Sequence, residues 1–250
     1  MNATLALTRR SVLHTVRDVE TLLMAIVLPV MLLLIFTYVF GGAIAGSTGQ
    51  YLDYVVPGVI VVCAGFGAAQ TAVAVSRDMN EGLMDRFRTI DMPRAGVVLG
   101  HVIASVARNL VATAVVLMVA LALGFRPGAS LLEWLGVLGI VTLYVLAITT
   151  LFAAVGIASR SVEAASGYGF ALLFLPYLSS AFAPVESMPA WLQPFAAHQP
   201  LTPVTDALRA YLHGEAAAAQ PMLALAWCVG LTVVGLAFSA WAFGRRAQRR

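Results

Sequence analysis

The sequence predicts an all-α integral membrane protein, a single domain over residues 1–250 that crosses the bilayer on six helices. Hydrophobic residues make up 60% of the chain and charged ones only 11%, whereas a soluble domain carries roughly 25% charged residues. A chain of that composition is solvated by lipid. Six long uncharged stretches occupy most of the length and leave no contiguous segment for a second globular domain. All 15 of the lysine-plus-arginine residues are arginine. A phosphate-binding P-loop uses a lysine to reach the terminal phosphates, so no segment here is one, and no cofactor is expected on this chain.

The elements follow in order. Within a lead-in segment, residues 1–20, Leu5, Val12, Val16 and Val19 fall in a narrow arc while Arg10, His14, Arg17 and Asp18 lie opposite, the pattern of an interfacial amphipathic helix. It serves either to anchor the chain at the membrane surface or to meet a cytoplasmic partner. A crossing helix needs about 20 mostly apolar residues, and the first runs over 22–40. That run is too long for a signal peptide, so no cleaved leader is expected. Pro29 lies inside it, and a kink rather than a break follows where neighbours re-satisfy the freed carbonyl. The second span, 54–75, carries Gly58, Gly65, Gly67, Ala68 and Ala69, small residues that let helices approach closely, for packing or for a dimer interface.

Residues 76–94 form a loop in which four basic and four acidic residues alternate. Wound as a helix, it places Met79, Leu83, Phe87 and Ile90 on one face and Glu81, Asp85 and Arg88 on the other, and Pro93 ends it. It is either a solvated helix held against the membrane or a docking helix, in which charge fixes register while the apolar face supplies burial. The third and fourth spans cover 97–123 and 132–158, and the fifth covers 164–183. Segment 184–220 is too broken by proline to cross. Within it Thr202 is placed to cap a helix from Pro203 to Gly214, and Trp191 and Phe195 sit four apart on a second short turn, so short external helices are expected here. The sixth span is 221–243. Cys63 and Cys228 lie in apolar runs and read as small buried hydrophobes.

Arginine counts orient the spans, because cytoplasmic loops collect positive charge. One side holds Arg9, Arg10, Arg17, Arg77, Arg86, Arg88, Arg94, Arg160, Arg245, Arg246, Arg249 and Arg250; the other holds Arg126 and Arg209. Both termini are therefore expected in the cytoplasm, and a five-span arrangement, which would put the tail arginines outside, is rejected. Inside the spans the ionisable residues are His101 and Arg108, with Asn109 beside them, a polar stripe on one face of the third. Intramembrane ionisable groups are costly and mark functional candidates; His101 and Arg108, seven apart on one face, fit either a polar stripe facing a subunit interface or side chains snorkelling toward the cytoplasm. No Asp or Glu lies in the core of a span, which disfavours proton- or sodium-coupled carriage. No nucleophile and base pair with each other, and the four histidines match no metal-ligand spacing. Neither an enzyme site nor a metal site is predicted.

With these residues in view, the chain resembles the ABC-2 type exporter permeases, most closely the daunorubicin-resistance branch. Three features carry the resemblance: R-D-M-N-E-G-L-M-D-R-F-R-T-I-D-M-P-R-A-G between the second and third spans, M-P-A-W-L-Q-P-F-A-A-H-Q-P-L-T-P-V-T-D-A-L-R-A-Y-L-H-G over 188–214, and the six-span layout with its lead-in helix and basic tail. The resemblance implies a bacterial plasma-membrane subunit for drug efflux and antibiotic resistance, which pairs with a second copy or a sister permease and binds two copies of a P-loop ATPase. ATP and Mg would sit on that partner. It makes 76–94 the coupling helix, with Glu81, Asp85, Arg86, Phe87 and Arg88 meeting the ATPase. The sequence departs from the family pattern just beyond, where a charged residue is expected at His101 and an acid near Ser105. Cargo would be hydrophobic or amphipathic, in contact with membrane lipid and with aromatics drawn from Phe36, Tyr38, Phe40, Phe66, Tyr168 and Tyr177. No nucleic-acid partner is expected. The competing readings are a secondary active transporter and a membrane scaffold without transport.

Overall fold

The computed structural model describes residues 19–45, 48–80, 94–215 and 221–248. Among these there is no strand. The elements are α1 (Val19–Ile35), which runs into a π-helical turn (Phe36–Phe40) and a short helix α2 (Gly41–Ala45); α3 (Thr48–Asn80); α4 (Arg94–Leu123); α5 (Leu131–Ala158); α6 (Val162–Leu172); α7 (Gln193–His198); α8 (Leu201–His213); and α9 (Pro221–Gln248). The lead-in helix predicted before residue 19 and the part of the loop at 81–93 lie outside the described residues.

Among the described residues, five helices are long and apolar enough to cross a membrane: Ala25–Ala43, Thr48–Asn80, Gly100–Leu123, Leu131–Ala158 and Pro221–Arg245. α3 forms the axis of the bundle, with every residue from Val55 to Gly65 buried. Paired contacts set the helix directions. α1 runs antiparallel to α3, with Ala25 beside Cys63 and Gly41 against Tyr51. α4 is also antiparallel to it, joined at Thr71 to Ser105 and at Asp78 to His101. α5 runs with α3, since Ala68 and Ala72 meet Phe152 and Val75 meets Ile157. α9 runs with α5, because Gly235 abuts Thr150 and Leu151 and Ala242 clusters with Ala153 and Ile157.

Pro29 does not break α1. Its missing N–H frees the carbonyl of Ala25, and the Cys63 thiol, buried against it at 3.9 Å, is the donor that faces that oxygen. α4 ends at Gly124, whose φ of 111° suits glycine. A capping box then starts α5: Ser130 Oγ accepts from Glu133 N at 3.4 Å while the Glu133 carboxylate accepts from Ser130 N at 2.7 Å, satisfying two free donors of the first turn.

The predicted fifth span is where the structure departs from the sequence reading. In place of one helix over 164–183, α6 has 11 residues, a rise of about 16 Å against a hydrocarbon core of about 30 Å. It stops at Leu172 because Pro176 cannot donate to that carbonyl and disfavours helical geometry at the residue before it. A 3₁₀ turn (Leu175–Leu178) and an irregular stretch follow. The whole segment nevertheless lies antiparallel along α3. Ser76 Oγ donates to Ser161 O at 3.1 Å, Gly169 faces Ala69 and Leu173 faces Gly65, Ala181 packs on Gly58, and Tyr51 OH donates to Phe182 O at 2.8 Å.

α8 is not a surface helix. Its residues Leu201–Thr205, Ala207, Leu208 and Leu212 are buried against α3, α5 and α9 at the end of the bundle where α3 starts. Gly214 closes it with a left-handed φ of 76°, where only glycine fits without strain. Thr202, predicted as its cap, sits inside the helix and donates instead to Ala196 O at 2.6 Å.

Candidate functional site

Among the described residues, two constellations place polar groups between the apolar helices. The first is a belt between α3, α4 and α5. Thr71 Oγ1 donates to Ser105 Oγ at 2.8 Å, and Ser105 Oγ lies 3.4 Å from Thr149 Oγ1. Asn109 Nδ2 donates to Ser105 O at 3.0 Å and to its Oγ at 3.2 Å. Arg108 Nη2 donates to Gly67 O at 3.1 Å and to Thr71 Oγ1 at 3.3 Å. The predicted stripe of His101, Arg108 and Asn109 therefore faces α3 within the same chain. Hydrogen bonding of this kind offsets the cost of carrying polar groups among apolar neighbours.

At the end of the belt His101 Nε2 lies 2.8 Å from Asp78 Oδ2, the two side chains 21% and 28% exposed. The acid that meets His101 comes from α3, near the end of that helix. Because the pair is part-exposed, its coupling is expected to be about 1 kcal/mol. Asp78→Ala and His101→Ala should each lower the thermal midpoint by a similar amount, and the double variant by little more than either. Fully additive losses measured on the purified protein would show that the contact carries no energy.

The second constellation closes the interrupted segment. Backbone that leaves the helix at membrane depth needs its carbonyls satisfied by protein. Gln199 Nε2 donates to Leu178 O at 3.0 Å and Leu175 O at 3.4 Å, and Ser179 Oγ donates to Pro176 O at 2.6 Å. Tyr54 OH donates to Ser180 O at 2.8 Å, as does Arg209 Nη2 at 2.7 Å. Arg209 Nη2 also reaches Tyr54 O at 3.4 Å, next to the carbonyl that Pro57 frees in α3. Asp206 Oδ1 accepts from Arg209 Nη1 at 2.6 Å and from Ser180 Oγ at 2.7 Å. None of Tyr54, Ser180, Asp206 or Arg209 is a predicted site residue; Arg209 enters the sequence reading in the charge count alone. Asp206 and Arg209, three apart on a helix, were the one local sign.

Stacked rings tie the π-helical turn to the same segment. Phe36 and Phe182 stack with centroids 4.3 Å apart, Tyr177 and Phe182 at 4.9 Å and 10°, and Phe40 lies 5.4 Å from Phe36. Of the six aromatics predicted to contact cargo, Phe36, Phe40 and Tyr177 come together. Tyr38 and Tyr168 point outward, 59% and 58% exposed, and Phe66 packs against the core from α3. Glu81, Asp85, Arg86, Phe87 and Arg88 lie outside the described residues.

Comparison with known proteins matches residues 2–213 to the model of the ABC-2 type transporter family. The chain is similar to a daunorubicin resistance ABC transporter permease protein of Streptomyces coeruleorubidus, 32% identical over 210 residues, covering 84% of this chain and 74% of the relative. It is also similar to a probable doxorubicin resistance ABC transporter permease protein of Mycobacterium tuberculosis, 27% identical over 234 residues, covering 92% of this chain and 84% of the relative.

Proposed function

The chain belongs to the ABC-2 type transporter family and is a membrane permease subunit of an ABC exporter, and from that premise we propose that it moves hydrophobic or amphipathic drug-like cargo outward across a bacterial plasma membrane. The match over residues 2–213 carries this reading. The family implies an ATP-binding partner subunit. Two copies of that partner, each holding ATP and Mg, drive a pair of permeases, either two copies of this chain or this chain with a sister. Cargo chemistry follows from the drug-resistance relatives and from spans without acidic residues in their cores, where burying each charge of a polyanion would cost about 2.5–3.5 kcal/mol.

Six crossings with both termini cytoplasmic complete the proposal. The fifth crossing is the interrupted segment 161–182 instead of a continuous helix. The parallel course of α5 and α9 supports this, since two parallel spans need one return between them, and that segment runs beside α3 from Ser76 to Tyr51. Arg77, Arg160 and Arg245 lie at one end of the bundle and Arg126 and Arg209 at the other, which supports a cytoplasmic assignment for the first end.

Coupling is assigned to 76–94, with Glu81, Asp85, Arg86, Phe87 and Arg88 meeting the ATPase. Arg86→Glu with Arg88→Glu should leave the permease inserted while the ATPase no longer co-purifies and cargo-stimulated hydrolysis falls to the basal level. Survival of both co-purification and transport in that double variant would remove the assignment. Export is checked by drug accumulation, which should rise in a strain lacking the permease.

A further inference from the structure

We propose that Arg209 is a positioning residue for transport, a clasp that holds α8 to the irregular stretch at 179–182 and keeps the outer end of the permease closed between turnovers. The proposal rests on the reading above that this end faces outward. One guanidinium joins three elements. It meets Asp206 on α8, the carbonyl of Ser180 in the irregular stretch and the carbonyl of Tyr54 on α3, and its Cζ lies 4.0 Å over the Tyr54 ring. The Arg209 side chain is 18% exposed and Asp206 is 50% exposed, so the carboxylate is the better hydrated partner of the clasp.

The chemistry of the acceptors makes this a place that can part. A carbonyl inside a helix is bonded within its own turn, and freeing it means unwinding the helix. Among the described residues the carbonyl of Ser180 is held by side chains of other elements, Tyr54 and Arg209, which water can replace once it is admitted. Without water, an unmet carbonyl at this depth is costly, so the contact favours the closed arrangement. The ion pair to half-exposed Asp206 adds little; the bonds to backbone carbonyls carry the clasp.

Ser180 is 4% exposed, and its replacement by cysteine reports parting. The test uses the permease with its ATPase in right-side-out vesicles loaded with ATP, an impermeant maleimide outside, and the unsubstituted chain as background, since Cys63 and Cys228 are buried. Trp191→Cys, at a position 79% exposed, marks the side. Trp191→Cys should label from outside in every state. Ser180→Cys should label slowly at rest and about tenfold faster during cargo-stimulated turnover, and Arg209→Gln should give the fast rate at rest, the size expected for losing hydrogen bonds to a charged group. Asp206→Asn should leave the resting rate within about twofold. Labelling of Ser180→Cys that ignores both Arg209 and turnover, while Trp191→Cys still labels from outside, overturns the clasp. Labelling of Trp191→Cys from the cytoplasmic side alone overturns the orientation instead. Should Arg209→Gln fail to accumulate, Arg209→Lys keeps the cation without the fork that bridges the acceptors; an intermediate resting rate supports the clasp and an unchanged one overturns it.

Discussion

Replacing Gly156 with valine is expected to destabilise the bundle severely, because α5 meets the backbone of α3 at this position. A Cβ at this position would run into the carbonyl oxygen of Ala72 and lie 3.1 Å from both the carbonyl carbon and Cα of that residue. The obstacle is backbone, so no rotamer change relieves it, and α3 and α5 would have to separate. Their separation would open the contacts of Phe152 with Ala68 and Ala72 and of Ile157 with Val75. Overpacking of a tight core costs about 1–3 kcal/mol when side chains can adjust, and here they cannot, so at least about 3 kcal/mol is expected. Gly139, on the same helix, has nothing within 4 Å of its Cβ position, and Gly139→Ala should be neutral or stabilising by up to about 1 kcal/mol. Gel filtration after extraction, followed by thermal melting, distinguishes the two. Equal yields and midpoints for both variants would mean that α3 and α5 do not approach through glycine.

Apolar length made the five long helices legible, with the ends off by a few residues where polar caps and interfacial residues extend the helix beyond the lipid-like stretch. The sixth predicted crossing shows what hydropathy does not encode. Pro29, Pro57 and Pro176 all sit in apolar runs, yet only Pro176 ends its helix. Around Pro29 a donor on another helix faces the freed oxygen, and around Pro57 an arginine 152 residues away approaches the next carbonyl. Around Pro176, Gln199, Tyr54 and Arg209 meet carbonyls that lie beyond the end of α6. Each outcome depends on side chains far away in sequence, so no window centred on the proline distinguishes them. The stripe of His101, Arg108 and Asn109 was visible as a helical face. Its acceptors were not, because Asp78, Thr71 and Gly67 become neighbours only when the chain folds back through the loop. Small residues in the second predicted span were read as close-packing positions, and Gly58, Gly65 and Gly67 each receive a neighbour from elsewhere in this chain.

Gly67→Ala is expected to destabilise the protein by about 3 kcal/mol, and Asn109→Ala to restore most of that loss. A Cβ on Gly67 would collide with the amide of Asn109. That side chain is fully buried and held by its two bonds to Ser105, so it cannot swing aside without moving Ser105 and, with it, the Thr71 and Thr149 hydroxyls. Asn109→Ala alone should cost no more than about 1 kcal/mol. It forfeits the Nδ2 bonds, yet it also removes Oδ1, which has no hydrogen-bond partner among the described residues. Combined with Gly67→Ala it vacates the space the new methyl needs, giving an interaction of about 3 kcal/mol between the two sites. Thermal midpoints of the two single variants and the double one measure it, and strict additivity would mean that something other than Asn109 requires glycine at 67. The repaired double variant then separates packing from transport. α3 and α4 flank the loop assigned to the ATPase, so if the belt between them transmits its motion, the double variant will melt near the wild-type temperature while its cargo-stimulated hydrolysis stays depressed.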